Sequence, residues 1–414
     1  MTRSAQALGA PTGRAESPYA WLRLLTAMLL GTIGGVGMWS FVVELPTVQA
    51  DLGIARADAS LPYTVGMLGF AAGAVLIGRL VDRYGVIAPL VLGTLVLGFA
   101  YIGSAFASNI WQLTIAHGCI GFGSSATFAP LIADISHWFE RRRGVAVSIC
   151  ATGSYLAGTL WPPVVNQFVA SDGWRQTQVG IGLFCLISML PLITLLKRRI
   201  ALVQGLSARG NGGAATTSLG LSSGVLQALI LVAGVACCVA MSMPQVHIVA
   251  YCGDLGYGVA RGAEMLSVML GFGIISRVGS GFIADRIGGL ATMLLGSALQ
   301  AVALLLYLWF DGLTSLYVIS AFFGLVQGGI IPMYAVIVRD FFPPHEAGAR
   351  VGLAIMATIV GMALGGWLSG AIFDLTGSYA QAFSNGIAWN LINVSIVLFL
   401  MLRQAGRRQL MAPA

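Results

Sequence analysis

The sequence predicts an all-α membrane protein with twelve transmembrane helices in two six-helix halves. Three observations predict it: the composition, the lengths of the apolar runs, and an internal repeat. The chain is 57% hydrophobic and 9% charged, with a mean hydropathy of +0.87. Soluble domains carry about 25% charged residues, so this chain has too few charges to cover a water-facing surface. Helices in lipid need no such cover because they satisfy their backbone hydrogen bonds internally.

The apolar runs are long enough to span a bilayer, which takes about 20 residues. One connection is long, because residues 197–223 begin with a basic KRR and continue rich in Gly, Ser and Thr. We read it as a cytoplasmic linker between the halves. The predicted organisation is a tail (1–21), a first half (22–196), the linker (197–223), a second half (224–402) and a tail (403–414). The expected spans are 22–46, 60–81, 86–107, 111–136, 144–168, 176–196, 224–251, 262–283, 290–310, 314–338, 350–372 and 381–402.

The positive charge is distributed asymmetrically about these spans. With the N-terminus inside, eighteen of the 22 Lys and Arg fall in inner segments, three in outer segments, and Arg277 lies within a span. This bias predicts that both termini are cytoplasmic, in the plasma (cell inner) membrane. It also accounts for the net charge of +7 without nucleic-acid binding. The six cysteines form no CxxC pair, so we expect no metal site, and we expect no cofactor.

The two halves repeat each other at an offset of 203 residues. Gly78–Gly85 (GRLVDRYG), after span 2, matches Gly281–Gly288 (GFIADRIG), after span 8. At the same offset, His137–Phe139 after span 4 matches Asp340–Phe342 after span 10. Two matches at one offset indicate a real repeat, which places a binding site near the midplane between the halves.

The repeated loops contain glycines that permit a tight turn and an Asp-Arg pair. The pair could latch one conformation by binding neighbouring charges or helix ends, or it could serve only topology and the turn. We favour the latch, because topology alone would not need the acid. Its predicted members are Gly78, Asp82, Arg83, Gly85, Gly281, Asp285, Arg286 and Gly288.

Arg277 is the most informative single residue. At ~1.5 Å per residue it lies about 24 Å from Arg261 and about 12 Å from Asp285, within the hydrocarbon region. A charge there costs about 2.5–3.5 kcal/mol on insertion scales. The flanking Gly271, Gly273, Gly279 and Gly281 predict packing against protein, although snorkelling to the inner surface is the alternative. A guanidinium holds a carboxylate through two parallel hydrogen bonds, so we expect Arg277 to anchor an organic anion.

Other polar residues in the spans are weaker candidates for the same site. His247 and His117 could be gates or proton carriers, or could simply bond a backbone carbonyl. Three further polar residues could each bond a substrate oxygen or serve helix packing: Tyr334, Gln327 and Asn390. Two acidic residues are expected near span ends. Glu44, near the outer end of span 1, is expected to be solvated, with a coupling role as the alternative, and Asp134 is expected to be an interfacial partner of Arg141–Arg143.

The repeated G-x-x-x-D-R-x-G loops resemble the signature loop of the major facilitator superfamily, and the resemblance covers the whole chain. Within it, Pro244–Tyr251, Asp254–Tyr257 and Ser276-Arg277 are similar to the monocarboxylate transporter and oxalate/formate antiporter branch. That branch implies transport of small carboxylates, with Arg277 in the place of its substrate-binding arginine. Mammalian-type members have an aspartate where this chain has Gly273. The lysine of the oxalate exchanger in span 11 has no counterpart in residues 352–358.

The resemblance implies secondary active transport of a small organic anion, with a monocarboxylate favoured, by alternating access. The expected partners are the anion, the lipid bilayer and, if transport is coupled, protons; we expect a monomer. The alternative cargo is another small solute such as a drug, a vitamin or an aromatic acid. An enzyme is not expected, because the sequence has no HExxH, no GxSxG and no phosphate loop.

Overall fold

The computed structural model describes residues 16–139, 142–197 and 219–411, without the side chains of 82, 143, 144, 344, 345, 347 and 407–411. Most of the predicted linker (198–218), residues 1–15 and 412–414 of the predicted tails, and Arg141 lie outside the described residues.

The described chain consists of helices, and it contains no strand. The helices are α1 (Pro18–Gly34), α2 (Val36–Leu52), α3 (Arg56–Tyr84), α4 (Ile87–Ser104), α5 (Ile110–Ser125), α6 (Ala129–Trp138), α7 (Arg143–Asp172), α8 (Trp174–Thr194), α9 (Ser223–Asp254), α10 (Val259–Ile287), α11 (Gly289–Trp309), α12 (Leu313–Gln327), α13 (Ile330–Phe341), α14 (Pro344–Thr376) and α15 (Tyr379–Met411).

The all-α membrane fold predicted from the sequence is confirmed. Eleven helical segments of the described chain are long and apolar enough to cross a membrane. The expected fifth span is α7, which has 30 residues but is less apolar, since it includes Pro162, Pro163 and several polar side chains. Three spans are each made of two helices: α1 with α2, α5 with α6, and α12 with α13. Helix α15 continues to Met411, past the predicted end of its span at residue 402.

Two of the three breaks inside the spans follow the internal repeat. Helix α5 ends at Ser125 and α12 ends at Gln327, so the fourth and tenth spans are interrupted at nearly equivalent positions. Glycines allow close helix contacts beside both breaks. A Cβ at Gly121 would overlap the carbonyl oxygen of Gly66 on α3, and one at Gly324 would overlap that of Met269 on α10. Small residues at helix interfaces in membranes serve this purpose.

Packing between helices also repeats. Helix α3 packs on α5 and α4 on α8, as α10 packs on α12 and α11 on α15. Four further interfaces join α1–α8 to α9–α15: α3 with α14, α7 with α10, α2 with α9, and a small one between α2 and α10. The interior between these two groups of helices is therefore lined by α2, α3, α7, α9, α10 and α14, and any site there draws residues from both.

The last glycine of each repeated loop has a backbone conformation that side chains disfavour. Gly85 caps α3 with φ of 75° and Gly288 caps α10 with φ of 87°. Both accept this conformation because glycine has no Cβ. A Cβ at Gly78 or Gly281 would meet open space, so packing does not explain why the motif has glycine at those two positions.

Candidate functional site

Arg277 lies at the interface between the two groups of helices. The end of the bundle that carries the two repeated loops is named the inner end, following the predicted orientation, and the opposite end is the outer end. Arg277 lies ten residues before the inner end of α10 at Ile287, or about 15 Å along the helix axis. Its side chain leaves α10 toward α7, so it crosses from one group of helices to the other.

The guanidinium of Arg277 is held by α7 through backbone and aromatic contacts. Nη1 donates a hydrogen bond to the carbonyl oxygen of Ala151 at 3.3 Å, and the guanidinium carbon lies 4.5 Å from the ring centroid of Tyr155. Arginine commonly stacks on aromatic faces in this way. Its Nε is buried without an acceptor. In the described part of the chain no carboxylate pairs with Arg277, so most of its five donors are free for a ligand.

Tyr155 also explains the glycine at 273. A Cβ at Gly273 would lie 2.5 Å from a ring carbon of Tyr155, so the ring fills the space that a longer side chain would need. The predicted packing of the glycines around Arg277 is thus correct for Gly273, and Gly271 approaches Thr159. Gly279 and Gly281 face open space, so for them the prediction of tight packing is wrong.

The outer end of the interface is closed by a cluster around Arg56 at the start of α3. Arg56 Nη1 forms an ion pair of 2.9 Å with Asp254 at the end of α9, and Nε donates to Gln49 at 2.5 Å. The carboxylate of Asp374 on α14 accepts the backbone N–H groups of Arg56 (2.8 Å) and Ala57 (2.6 Å). A carboxylate at a helix N-terminus is favoured by the unpaired N–H groups and by the helix dipole.

His247 belongs to this outer cluster. Its Nε2 lies 2.8 Å from the carbonyl oxygen of Gly366 on α14, and its Nδ1 lies 3.3 Å from the hydroxyl of Tyr379 on α15. The Tyr379 hydroxyl in turn accepts a hydrogen bond from Arg56 Nη1. His247 is fully buried and makes no contact with Arg277, so the geometry favours a place in the outer closure over direct contact with the anion.

Among the described residues, the inner end carries no comparable links between the two groups of helices. The hydrogen bond between Arg277 and Ala151 is the innermost one that joins α1–α8 to α9–α15 among the described residues. At the repeated loops, Asp285 and Arg286 are exposed, and the guanidinium of Arg83 lies over the neighbouring ring of Tyr84. The side chain of Asp82 lies outside the described residues. The bundle is therefore closed at the outer end, and the predicted latch residues that are described make no ion pair.

A second group of polar side chains lies inside the first eight helices. His117 on α5 is buried, with Nδ1 3.0 Å from the Leu113 carbonyl oxygen and Nε2 without a partner. Glu44 on α2 is 0% exposed, so the expectation that it is solvated is wrong. It lies two turns inside α2 and points toward α8, where Gln178 Nε2 donates to its Oε2 at 2.6 Å.

The remaining sequence candidates lie within the second group of helices. Gln327 on α12 is fully buried and accepts a hydrogen bond from Gln245 on α9, while its own amide nitrogen has no partner. Tyr334 donates to Asn393 at 3.4 Å, and Asn390 donates to the Ser297 carbonyl at 2.7 Å. These last contacts join α11, α13 and α15 and are explained by packing. The structure therefore separates the candidates instead of gathering them around Arg277.

Asp134 has a different partner from the one expected. Its two oxygens accept Nε and Nη2 of Arg23 on α1, at 2.6 and 2.9 Å. Arg23 also donates to the Leu196 carbonyl at 2.7 Å and lies over the ring of Trp138. Sequence distance hid this pair, because 111 residues separate its members.

A groove of about 840 Å³ lies elsewhere, against α1, α7 and α8. It is mostly apolar, with Leu160, Trp161 and Phe184 among its lining residues, and it contains none of the residues discussed above. Volume alone therefore does not identify the site, and the polar groups at the interface do.

Sequence reasoning missed Tyr155, Gln245, Asp374 and Tyr379. Asp374 had a readable signal, because it is an acid just beyond the predicted outer end of span 11, where an outer arginine such as Arg56 could meet it. The others are ordinary helix residues until the helices are packed.

Comparison of the sequence and the fold with known proteins identifies the family of this chain. The family model of the Major Facilitator Superfamily matches residues 27–323 and 280–410. Monocarboxylate transporter 13 of Bos taurus is 25% identical over 402 residues, covering 94% of this chain and 91% of that protein. The MFS transporter asaE of Aspergillus flavus is 25% identical, covering 74% and 69%. A crystal structure of a mutant of the nucleoside transporter NupG has a similar fold, with a TM-score of 0.72 at 13% identity, covering 93% of this chain and 99% of that one. The chain belongs to the Major Facilitator Superfamily.

Proposed function

We propose that this protein is a secondary transporter of a small organic anion, preferentially a monocarboxylate, and that it works by alternating access. The observation that carries the proposal is Arg277: a cation between the two groups of helices, with free donors and no described carboxylate partner. The likeness to Monocarboxylate transporter 13 supports the same substrate class.

The contacts of Arg277 suggest how binding and movement are linked. In the closed-outer arrangement one of its donors is used by the Ala151 carbonyl on α7. A carboxylate is a stronger, charge-assisted acceptor, so the bound anion takes over this donor and loosens the tie between α10 and α7. The predicted latch loops at the inner end then close in the opposite state, where Asp82 and Arg83 meet charges or helix ends.

Charge balance favours a single carboxylate and coupled protons. Arg277 neutralises one carboxylate, and each further one would be left uncompensated in a poorly solvated cavity. The sequence places no second arginine or lysine deep within a predicted span. Co-transport of a proton with the anion makes the overall cycle electroneutral.

The experiment is counterflow in proteoliposomes. Labelled lactate or pyruvate should exchange against the same unlabelled anion, and unlabelled monoanions should compete far better than oxalate, malonate or succinate at neutral pH. Best competition by a dicarboxylate would contradict the single-anchor site.

The matched variants are Arg277→Lys and Arg261→Lys. A lysine at position 277 cannot make the two parallel hydrogen bonds that arginine makes to a carboxylate. Losing one charge-assisted hydrogen bond of about 1.5–3 kcal/mol lowers the affinity for the anion about 10- to 150-fold. Arg261 lies at the outer surface, paired with Glu264 at 3.0 Å, and its variant should retain wild-type exchange. Equal transport by both variants at matched expression would remove Arg277 from the site.

A further inference from the structure

A carboxyl group inside the first eight helices has unmet hydrogen-bonding capacity. Glu44 is 0% exposed, accepts one hydrogen bond from Gln178, and leaves Oε1 with no partner. An ionised carboxylate is an acceptor with about four lone-pair sites. With a single neutral donor and no exposure to solvent, the charged form is strongly disfavoured, and a buried group in such a place takes up a proton instead.

No cation in the described part of the chain forms an ion pair with Glu44. None of the titratable groups on the helices around α2 forms a hydrogen bond or ion pair with it in the described chain. The ion pair that Asp51, at the outer end of α2, forms with Arg175 at 2.6 Å is already complete. The titratable groups within the bundle on those helices include Tyr63 of α3, Tyr101 of α4, His117 of α5, Tyr155 of α7, Cys185 of α8, His247 of α9 and Arg277 of α10.

The surroundings of Glu44 form a polar pocket in otherwise apolar packing. One turn earlier on α2, Ser40 shares a hydrogen bond of 2.7 Å with the Tyr101 hydroxyl. The ring of Phe41 lies 4.6 Å from that of His117, whose Nε2 is also unpartnered. Two buried titratable groups with free atoms therefore lie in the interior of the first group of helices.

On the basis of the proposed anion transport, we propose that Glu44 binds the proton that accompanies the anion. The proton enters from the outer side. Gln178 lies four residues inside the outer start of α8, which is about 6 Å, and it accepts a hydrogen bond from Ser104, the last residue of α4. The hydrogen-bonded series Glu44, Gln178 and Ser104 thus ends where α4 meets the outer loop.

The coupling of proton binding to anion transport follows from the burial of the Glu44 carboxyl group. In the closed-outer arrangement, Glu44 is fully buried and bonded to Gln178 of α8, so an ionised Glu44 would be an unpaired buried charge in this state. Protonation removes this penalty, and the proton therefore favours the closed-outer state over the open one, as any ligand favours the state that binds it better. An anion on Arg277 is then carried inward only with Glu44 protonated.

The test uses Glu44→Gln, which imitates the protonated acid in shape, and Glu264→Gln, a half-exposed acid at the outer end of α10, as the control. Wild type and control should accumulate labelled lactate under an inward proton gradient. One pH unit can sustain up to about tenfold accumulation, because it corresponds to about 1.4 kcal/mol. Glu44→Gln should show no accumulation above equilibrium, while its lactate exchange becomes independent of pH.

A substrate-free measurement separates this inference from the proposed function. Spin labels at the outer ends of α5 and α12 should report a larger closed-outer fraction at pH 5.5 than at pH 8 in wild type, and a closed-outer fraction unaffected by pH in Glu44→Gln. If wild type exchanges no monocarboxylate, the proposed function fails and the distances alone decide on Glu44. If Glu44→Gln still accumulates lactate with the gradient, or keeps the pH-dependent distances, Glu44 is not the proton site.

Discussion

Replacing Arg56 with methionine tests whether the outer cluster holds this conformation. The substitution keeps a long apolar side chain but removes the ion pair with Asp254 and the hydrogen bonds to Gln49 and Tyr379. It leaves the backbone N–H groups that Asp374 caps. All partners except Gln49 lie on α9, α14 or α15, so the loss falls on the closed-outer state.

The magnitude follows from how buried the pair is. Removing one member of a buried ion pair costs about 3–5 kcal/mol, whereas exposed pairs contribute up to about 1 kcal/mol. The Arg56 side chain is 8% exposed and that of Asp254 is 39% exposed, so water recovers part of the loss. An intermediate value of about 2 kcal/mol corresponds to about a 30-fold change in the population ratio. A state populated at about 99% would fall to about 77%.

The assay is the distance between spin labels on Ser108→Cys, before α5, and Asp311→Cys, before α12, in a background without the six native cysteines. The control is Arg175→Met, the same substitution in an outer ion pair whose partner Asp51 is on the same side of the interface. Arg56→Met should add a longer-distance population that the control lacks. Identical distance distributions in the two variants would refute the assignment of Arg56 to the outer closure.

Two further predictions concern stability. Gly121→Ala should lower the thermal unfolding midpoint in detergent, because its Cβ would overlap the backbone of α3 and overpacking costs about 1–3 kcal/mol. The control is Gly180→Ala on α8, whose Cβ meets open space and should leave the midpoint unchanged. Equal midpoints for the two variants would contradict the close contact. Arg23→Met should also lower the midpoint, and by more than Arg261→Met. The Arg23 side chain is 3% exposed, and its replacement leaves Asp134 without its cation, a loss of about 3–5 kcal/mol for a buried pair. A smaller shift for Arg23→Met than for Arg261→Met would count against that pair.

The candidate site was only partly readable from the sequence. Arg277 was identified because a cation in an apolar run is costly wherever its helix packs. His247 and Tyr334 gave no such signal, since polar residues in spans serve ligands and helix packing alike. Glu44 was misplaced because depth along a span says nothing about which way the side chain points. Its position on the face of α2 toward α8 became clear once the helices were packed.

The sequence by itself determined the membrane class, the helical fold and the repeat, because apolar run length, charge scarcity and motif spacing are local or periodic properties of the chain. It also determined the turn glycines Gly85 and Gly288, whose positive φ is a local backbone requirement. The tertiary structure alone decided that Arg56 meets Asp254, that Arg23 meets Asp134, and that Tyr155 fills the space beside Arg277. These pairs join residues more than 100 positions apart, and helix packing, which depends on the shapes of all the neighbours together, brings them into contact.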